Sequence, residues 1–376
     1  MRYLGLFLAG LALGVAVSFI EKAGGTHELN QEHPCVACDV NHNGYVTIQD
    51  ALIILDHVGA VFPTRDKMKW PFASTSPWNM PIGNGAVFVP AGLQTEGQIT
   101  VDTDYIYTSG TGRALYLNGT WPAQCNGATF YTNVLIPDGA LIPTGPGTPN
   151  NPFASVLADG RTIIQANPAA RCSGTGPVYA GWAAPTVDIY GQGLPGGHGG
   201  SGLSSIGGAL RLGELTSTNS IRHALKVNVE CSQYCSPTNN GYRWPAFHAD
   251  SYWASVYGGS IPAMRMGSLL ALPPSVDIVT MGLQTAPGRK LAWTLQNYGA
   301  YVVDDTGWDV YALDAEQGVD SEFQSFYGFS MWASSGPWYD DVMLIFRSLS
   351  VVDNNTVDTA GGGGRTREPL APAFSN

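Results

Sequence analysis

From Trp70 onward the chain is built of short runs rich in β-branched and aromatic residues. "GAVFVPAG", "QITVDTDYIYTS", "RALYLNG", "TFYTNVLIP", "RTIIQANP" and "TVDIYG" follow one another, separated by Gly, Pro, Asn or Asp. Runs of this kind, spaced about every 10 to 15 residues, are strand signals bounded by turns. "GALRLGELTS" and "IRHALKVNVEC" alternate as neighbouring strands do. The expectation is a mainly β body, a β-sandwich or jelly roll over residues 70–352, with few helices. No internal repeat of fixed length points to a propeller. With 47 Gly, 25 Pro and only 12% charged residues in 376, long solvated helices have little material to form from. A net charge of −11 leaves no basic stripe for phosphates, which excludes nucleic acid as a partner.

Helices are expected only late. "TAPGRKLAWTLQNYG" puts Leu291, Leu295 and Tyr298 on one face, with Gly299 at its end. "GPWYDDVMLIFRSL" puts Val342, Ile345, Phe346 and Leu349 on one stripe, and Asp340 and Asp341 in the first turn suit the helix dipole. Residues 353–376, rich in Gly and Pro, read as a flexible tail or an ordered glycine-rich strap.

The N-terminus is an arginine followed by an apolar run to Ile20, with Ala16 and Ser18 at the −3 and −1 places of a cleavage site. Residues 1–20 read as a secretory signal peptide, with an uncleaved anchor as the alternative. No later segment is long and apolar enough to cross a membrane. The protein is thus expected to be secreted, extracellular or at the cell surface, where disulfides persist. Six cysteines are present, and their spacing suggests Cys231 with Cys235, Cys125 with Cys172, and Cys35 with Cys38.

Between leader and body lies "CVACDVNHNGYVTIQDALIILDHVG". Counted from Asp39, the loop offers oxygen ligands from Asp39, Asn41 and Asn43, a turning Gly44, the Tyr45 carbonyl, and the closing carboxylate of Asp50. That is the spacing of a calcium loop of the EF-hand kind, and the short apolar run after it suits a helix ended by Gly59. Residues 33–62 resemble one half of a dockerin-type calcium repeat. The resemblance implies bound Ca²⁺ and a cohesin-like or cell-surface partner. Two departures weaken both implications: position five is Asn43 where the repeat has Asp, and no second loop follows. With two carboxylates, affinity should lie in the weak extracellular range, roughly 10⁻⁴ to 10⁻³ M.

Residues 188–250 hold the densest polar group. His198 sits in the glycine-rich "GQGLPGGHGGSGLSSIGG", a binding loop or a plain connection; it lacks the context of a phosphate cradle and the spacing of a nucleophile elbow. Glu214, Arg222, His223, Lys226, Arg243, His248 and Asp250 follow. On an extended strand His223, Leu225 and Val227 would share one face and Arg222, Ala224 and Lys226 the other. Three chemistries fit these groups. A glycosidase would pair Glu214 with Asp250, Asp304 or Asp305. A polysaccharide lyase would use His248 or Tyr242 as base, with Arg243 and Lys226 neutralising a uronate. A metal site would combine Glu214, His223 and His248. The candidate catalytic residues are therefore Glu214, His223, Arg243, His248 and Asp250.

Ten Trp, 17 Tyr and 13 Phe, many beside Gly or Pro, suit the gripping of sugar faces as well as core packing. The body, through Pro77-Trp78-Asn79, His223-Ala224-Leu225 and Trp244-Pro245-Ala246, resembles secreted bacterial proteins of uncharacterised activity, and the resemblance implies no catalytic residues. The expectation is a calcium-binding exported protein acting on polysaccharide as hydrolase or lyase. The alternative is a non-catalytic glycan-binding or structural protein, self-associating into filaments.

Overall fold

The structure, a computed structural model, describes residues 27–28, 45–46, 65–127, 129–145 and 150–374. The chain divides into two compact units, Met1–Arg65 and Asp66–Asn376. In the first, strands β1 (His27–Glu28) and β2 (Tyr45–Val46) pair antiparallel. Tyr45 thus lies in a strand, while Asp39, Asn41, Asn43 and Asp50 lie outside the described residues, as do the leader and Cys35 and Cys38.

The second unit is mainly β, as the spacing of the runs predicts. Its strands are β3 (Phe88–Pro90), β4 (Ile99–Tyr107), β5 (Thr111–Leu117), β6 (Thr129–Ile136), β7 (Phe153–Val156) and β8 (Thr162–Ala170). They continue as β9 (Val178–Ala183), β10 (Val187–Asp188), β11 (Leu225–Val229), β12 (Leu269–Ala271), β13 (Ala300–Asp305), β14 (Tyr311–Glu316) and β15 (Ser350–Val352). All belong to one mixed 13-stranded sheet in the order β3-β15-β12-β13-β11-β14-β4-β7-β8-β9-β5-β6, with β10 on β8. Among the described residues four α-helices lie between β11 and β15, α1 (Trp253–Val256), α2 (Ala286–Asn297), α3 (Val319–Tyr327) and α4 (Pro337–Arg347). The expected α2 and α4 form where their apolar stripes place them. Asp341 of α4 accepts hydrogen bonds from the backbone of Gln284 and Thr285 at 2.8 Å each, which secures the start of α2.

Alternation sorts the central strands onto two buried faces. Leu225, Val227 and Val229 of β11, with Tyr311, Leu313 and Ala315 of β14, pack in one core with Leu291 and Leu295 of α2, Phe323 of α3 and Ile345 and Phe346 of α4. On the opposite side Tyr301 and Val303 pack with Trp78, Leu203 and Ile206, so segments around the Asn79 turn and the glycine-rich loop cover that face. A third core, including Leu115, Val134, Phe153 and Val178, underlies the β5–β9 end.

Cys125–Cys172 and Cys231–Cys235 are bonded as their spacing suggested. The glycine-rich C-terminal run is a packed strap. Arg367 donates its backbone N–H to Ile82 and its guanidinium to the Gln296 carbonyl, at 2.9 and 2.7 Å, and the Phe374 ring meets Tyr190. Among the described residues no helix is long and apolar enough to cross a membrane.

Candidate functional site

The second face of the central sheet carries polar groups where a buried sheet ordinarily carries apolar ones. Lys226 and Asn228 alternate with the apolar residues of β11. Asp314 does the same on β14, and Asp102 and Asp104 on β4. β11 and β14 run antiparallel with Val227 opposite Leu313, so Lys226 stands across from Asp314; β14 and β4 run parallel with Asp314 beside Asp102.

Asp304 joins this face through an irregularity. Simple alternation along "AYVVDD" would send Asp304 to the same side as Val302, into the helix-covered core. The β11–β13 register shifts by one residue, from Val227 opposite Val302 to Asn228 opposite Asp304. The extra residue turns Asp304 over to the polar side, as β-bulges do.

The glycine-rich loop lies flat on this face and lowers His198 onto it. Side chains would prevent that approach. A Cβ on Gly197 would come within 2.7 Å of the Ala166 nitrogen, and one on Gly200, whose φ is +64°, within 2.6 Å of an Asp304 oxygen. The loop is anchored from β8 by Gln165, which accepts from the Ser205 N–H at 2.7 Å, and by Asn167, which donates to the Gly197 carbonyl at 2.7 Å.

The result is an inner group and an outer one. In the inner group Lys226 Nζ lies 2.8 Å from Asp104 Oδ2 and donates to the Ser204 carbonyl at 3.0 Å. His198 Nε2 lies 2.6 Å from Asp314 Oδ1 and 4.0 Å from Asp104 Oδ1, and Asn228 donates to Asp102 at 2.9 Å. Lys226 and Asp104 are 0% exposed, and His198 and Asp314 are 1% exposed. Burial pushes Asp314 up to about 7, and likewise Asp104, against the pull of Lys226. Burial and then the Lys226 charge lower His198 to about 4. One proton shared along the short His198–Asp314 contact satisfies both groups.

In the outer group Asp304 accepts from the Asp305 N–H at 2.9 Å and from the Asn150 amide, with His198 Nδ1 3.6 Å away. Asp250 lies beside it, since a Cβ added at Gly200 would meet Asp304 at 2.6 Å and Asp250 at 3.3 Å. Tyr257 donates to Asp250 at 2.7 Å. Tyr252 donates to Asp305 at 3.2 Å, and the Cys231 N–H to the same carboxylate at 2.7 Å. His248 Nδ1 lies 2.7 Å from the Gly200 carbonyl, so that nitrogen carries the proton and Nε2 can accept. Burial raises Asp304 well above the usual carboxylate range and the neighbouring Asp250 charge adds to it; burial also raises Asp250, and Asp305 to about 6. No lysine or arginine pairs with these three among the described residues.

Of the five candidate catalytic residues, His248 and Asp250 belong to this site and Glu214, His223 and Arg243 do not; His198, Lys226, Asp304 and Asp305, which the sequence also offered, lie in it. Glu214 and His223 form a pair of their own at 2.9 Å, with Glu214 also accepting from the Arg211 N–H at 2.7 Å. His223 precedes β11 and is not on its face. Burial disfavours its charged form, but Glu214 outweighs this and raises its pKa. Arg243 donates to the Ala263 carbonyl and to Asp353, both at 3.0 Å, and serves as a strut. The metal grouping of Glu214, His223 and His248 is therefore corrected: His248 does not join the other two. Among the described residues the three donors close enough for one ion are Asp102, His198 and Asp314, within 4.8 Å. A buried ammonium beside them and the short imidazole–carboxylate contact favour proton sharing there. Asp102, Asp104 and Asp314 escaped the sequence reading because an Asp alternating with apolar residues looks like the wet side of a strand.

Compared with known families, curated proteins and solved structures, the chain matches none.

Proposed function

We infer that the protein is an exported hydrolase of neutral polysaccharide, with Asp304 as general acid and Asp250 as its base or nucleophile. The observation that carries this reading is the pair of carboxylates, Asp304 and Asp250, that both reach the Cβ position of Gly200. Glycosidic hydrolysis needs two such groups whose surroundings hold one protonated and leave the other ionised. Asp304 is the more deeply buried and keeps its proton; Asp250 is half-buried and stabilised by the Tyr257 hydroxyl. Gly199 and Gly200 cover Asp304 with backbone alone, and the exposed rings of Phe247 and Tyr252 belong to the segment that carries His248 and Asp250. A uronate-cleaving lyase is less well supported, since Arg243 and Lys226 are engaged elsewhere. Two disulfides and the leader-like N-terminus support export. The Ca²⁺ loop at Asp39–Asp50, with a cohesin-like or cell-surface partner, belongs to the same proposal as a docking module.

Incubation with neutral and acidic glycans tests it. Release of reducing ends by the wild-type chain, lost in Asp304→Asn and Asp250→Asn, supports the reading. Absence of reducing ends from every glycan, or undiminished activity in both variants, overturns it. One observation favours a second reading, non-catalytic glycan binding. Phe130, Tyr116 and Tyr179 form a row across β6, β5 and β9, with ring centroids 5.9 and 5.8 Å apart. Phe130 is 55% exposed, and the row makes a platform suited to the flat faces of sugars.

A further inference from the structure

The geometry points to a covalent clasp inside the body: an isopeptide bond between Lys226 Nζ and the side-chain carboxyl carbon of Asp104, formed within the folded chain. None of the residues assigned to hydrolysis takes part in it.

Three observations carry the inference. The amine and the carboxyl group are in contact at 2.8 Å, and both side chains are fully sealed from solvent. Asp104 Oδ1 has no hydrogen-bond partner, so within the sealed interior the carboxyl group is held by the ammonium alone. A third carboxyl group, Asp314, stands across from Lys226 on β14, its Oδ2 without a partner and its Oδ1 on His198. His198 Nε2 in turn lies 4.0 Å from Asp104 Oδ1, so an imidazole and a second carboxyl group stand beside the reacting pair. A salt bridge alone does not require that second acid and imidazole; an acyl transfer does.

The chemistry balances without another reactant. In a dry interior an ammonium–carboxylate pair is costly to hold, and passing one proton from Lys226 to Asp104 leaves a neutral amine and a neutral acid. The amine lone pair attacks the Asp104 carboxyl carbon and the C–N bond forms. The C–OH bond then breaks. Asp314, with His198, takes the surplus proton from nitrogen and delivers it to the departing hydroxyl, which leaves as water. One ammonium and one carboxylate become one secondary amide and one water, with no oxidation or reduction.

The bond would tie β11 to β4 over the intervening β14, at the centre of the sheet. Joining residues so distant in sequence restricts the unfolded chain as a long-loop disulfide does, and unlike a disulfide it resists reduction. That suits a durable exported protein.

Mass spectrometry of the full chain, denatured and with disulfides reduced, is the test. The expected result is a chain lighter than its sequence by one water, with a branched proteolytic peptide joining the segments that hold Lys226 and Asp104. Lys226→Arg should restore the full sequence mass. Asp314→Asn should leave a folded chain, by circular dichroism, in which the branched peptide forms slowly or not at all. Folded wild-type chain at the full sequence mass overturns the inference and leaves an ion pair; this result needs no variant. A branched peptide alongside inactivity on every glycan would sink the hydrolase and leave the clasp standing.

Discussion

The inner and outer groups lie on one face of one sheet, on either side of His198, and both are built mainly of aspartates. What stands opposite each aspartate separates them. Inside, Asp104 meets an ammonium and Asp314 an imidazole, and water is excluded. Outside, Asp250, Asp304 and Asp305 meet tyrosine hydroxyls, an amide and backbone N–H groups, with no lysine or arginine as partner among the described residues and with Asp250 and Asp305 partly exposed. The same carboxyl group is thus set to hold the fold together in one place and to exchange protons with a substrate in the other. Its partner and its access to water decide which.

The largest expected effect lies on the outer side. Asp304→Asn and Asp250→Asn keep the shape of the group and remove its acid–base function, so glycan hydrolysis should fall by about 10² to 10⁴-fold with little change in the melting curve. A large fall in melting temperature with activity retained would mean that the outer carboxylates are structural too.

Next comes the inner side. Lys226→Met leaves Asp104 buried without its cation, which typically costs about 3–5 kcal/mol, readable in chemical denaturation. Adding Asp104→Leu removes the stranded polar group and should recover much of that loss. If Lys226→Met alone left stability unchanged, the inner group would not be the fastener this contrast requires.

A smaller effect should appear with pH. Carboxyl groups that the fold keeps protonated contribute stability that is whole below the ordinary carboxylate pKa of about 4 and is lost as pH rises through their folded values. Those values are about 7 for Asp104, for Asp314 and for Glu96, a carboxyl group buried ahead of β4 against the Tyr234 hydroxyl, and about 6 for Asp305. His198, lowered to about 4, acts in the opposite sense: its contribution is present above the ordinary imidazole value of about 6.5 and is lost as pH falls through the folded one. Four groups outweigh one, so the melting temperature should fall between about pH 5 and about pH 8. An Asp104 held in an amide would drop out of this balance and flatten the slope, which sharpens the distinction between pair and clasp.

The smallest effect on stability belongs to His248→Ala at the exposed rim, within about 0.5 kcal/mol. Its influence should fall on substrate turnover, measured on the same glycan that the wild-type chain cleaves.

Much of the frame was legible. The strand-rich body, α2 and α4, and the Cys125–Cys172 and Cys231–Cys235 bonds follow from local patterns and local spacing. His248 and Asp250 were legible because polar residues crowd a turn there, and Asp304 appeared among the carboxylates offered as a partner. Asp102 and Asp104 in "VDTDYIY" and Asp314 in "YALDAE" were not. A period of two says which residues share a side of a strand, and nothing in it says whether water or a glycine loop lies on that side. Glu214 and His223 misled for the related reason that two groups suited to catalysis can simply satisfy each other.

By itself the sequence determined that this chain makes a mainly β body, where two of its helices form, and that Cys125 pairs with Cys172 and Cys231 with Cys235. These are matters of propensity, periodicity and short reach along the chain. Only the tertiary structure decided that Asp304 turns to the polar side, that His198 descends between carboxylates from β4, β13 and β14, and that Lys226 ends against Asp104. A one-residue bulge reverses a side chain without changing composition, and a carboxylate's chemistry is set by neighbours drawn from distant strands, which no local pattern encodes.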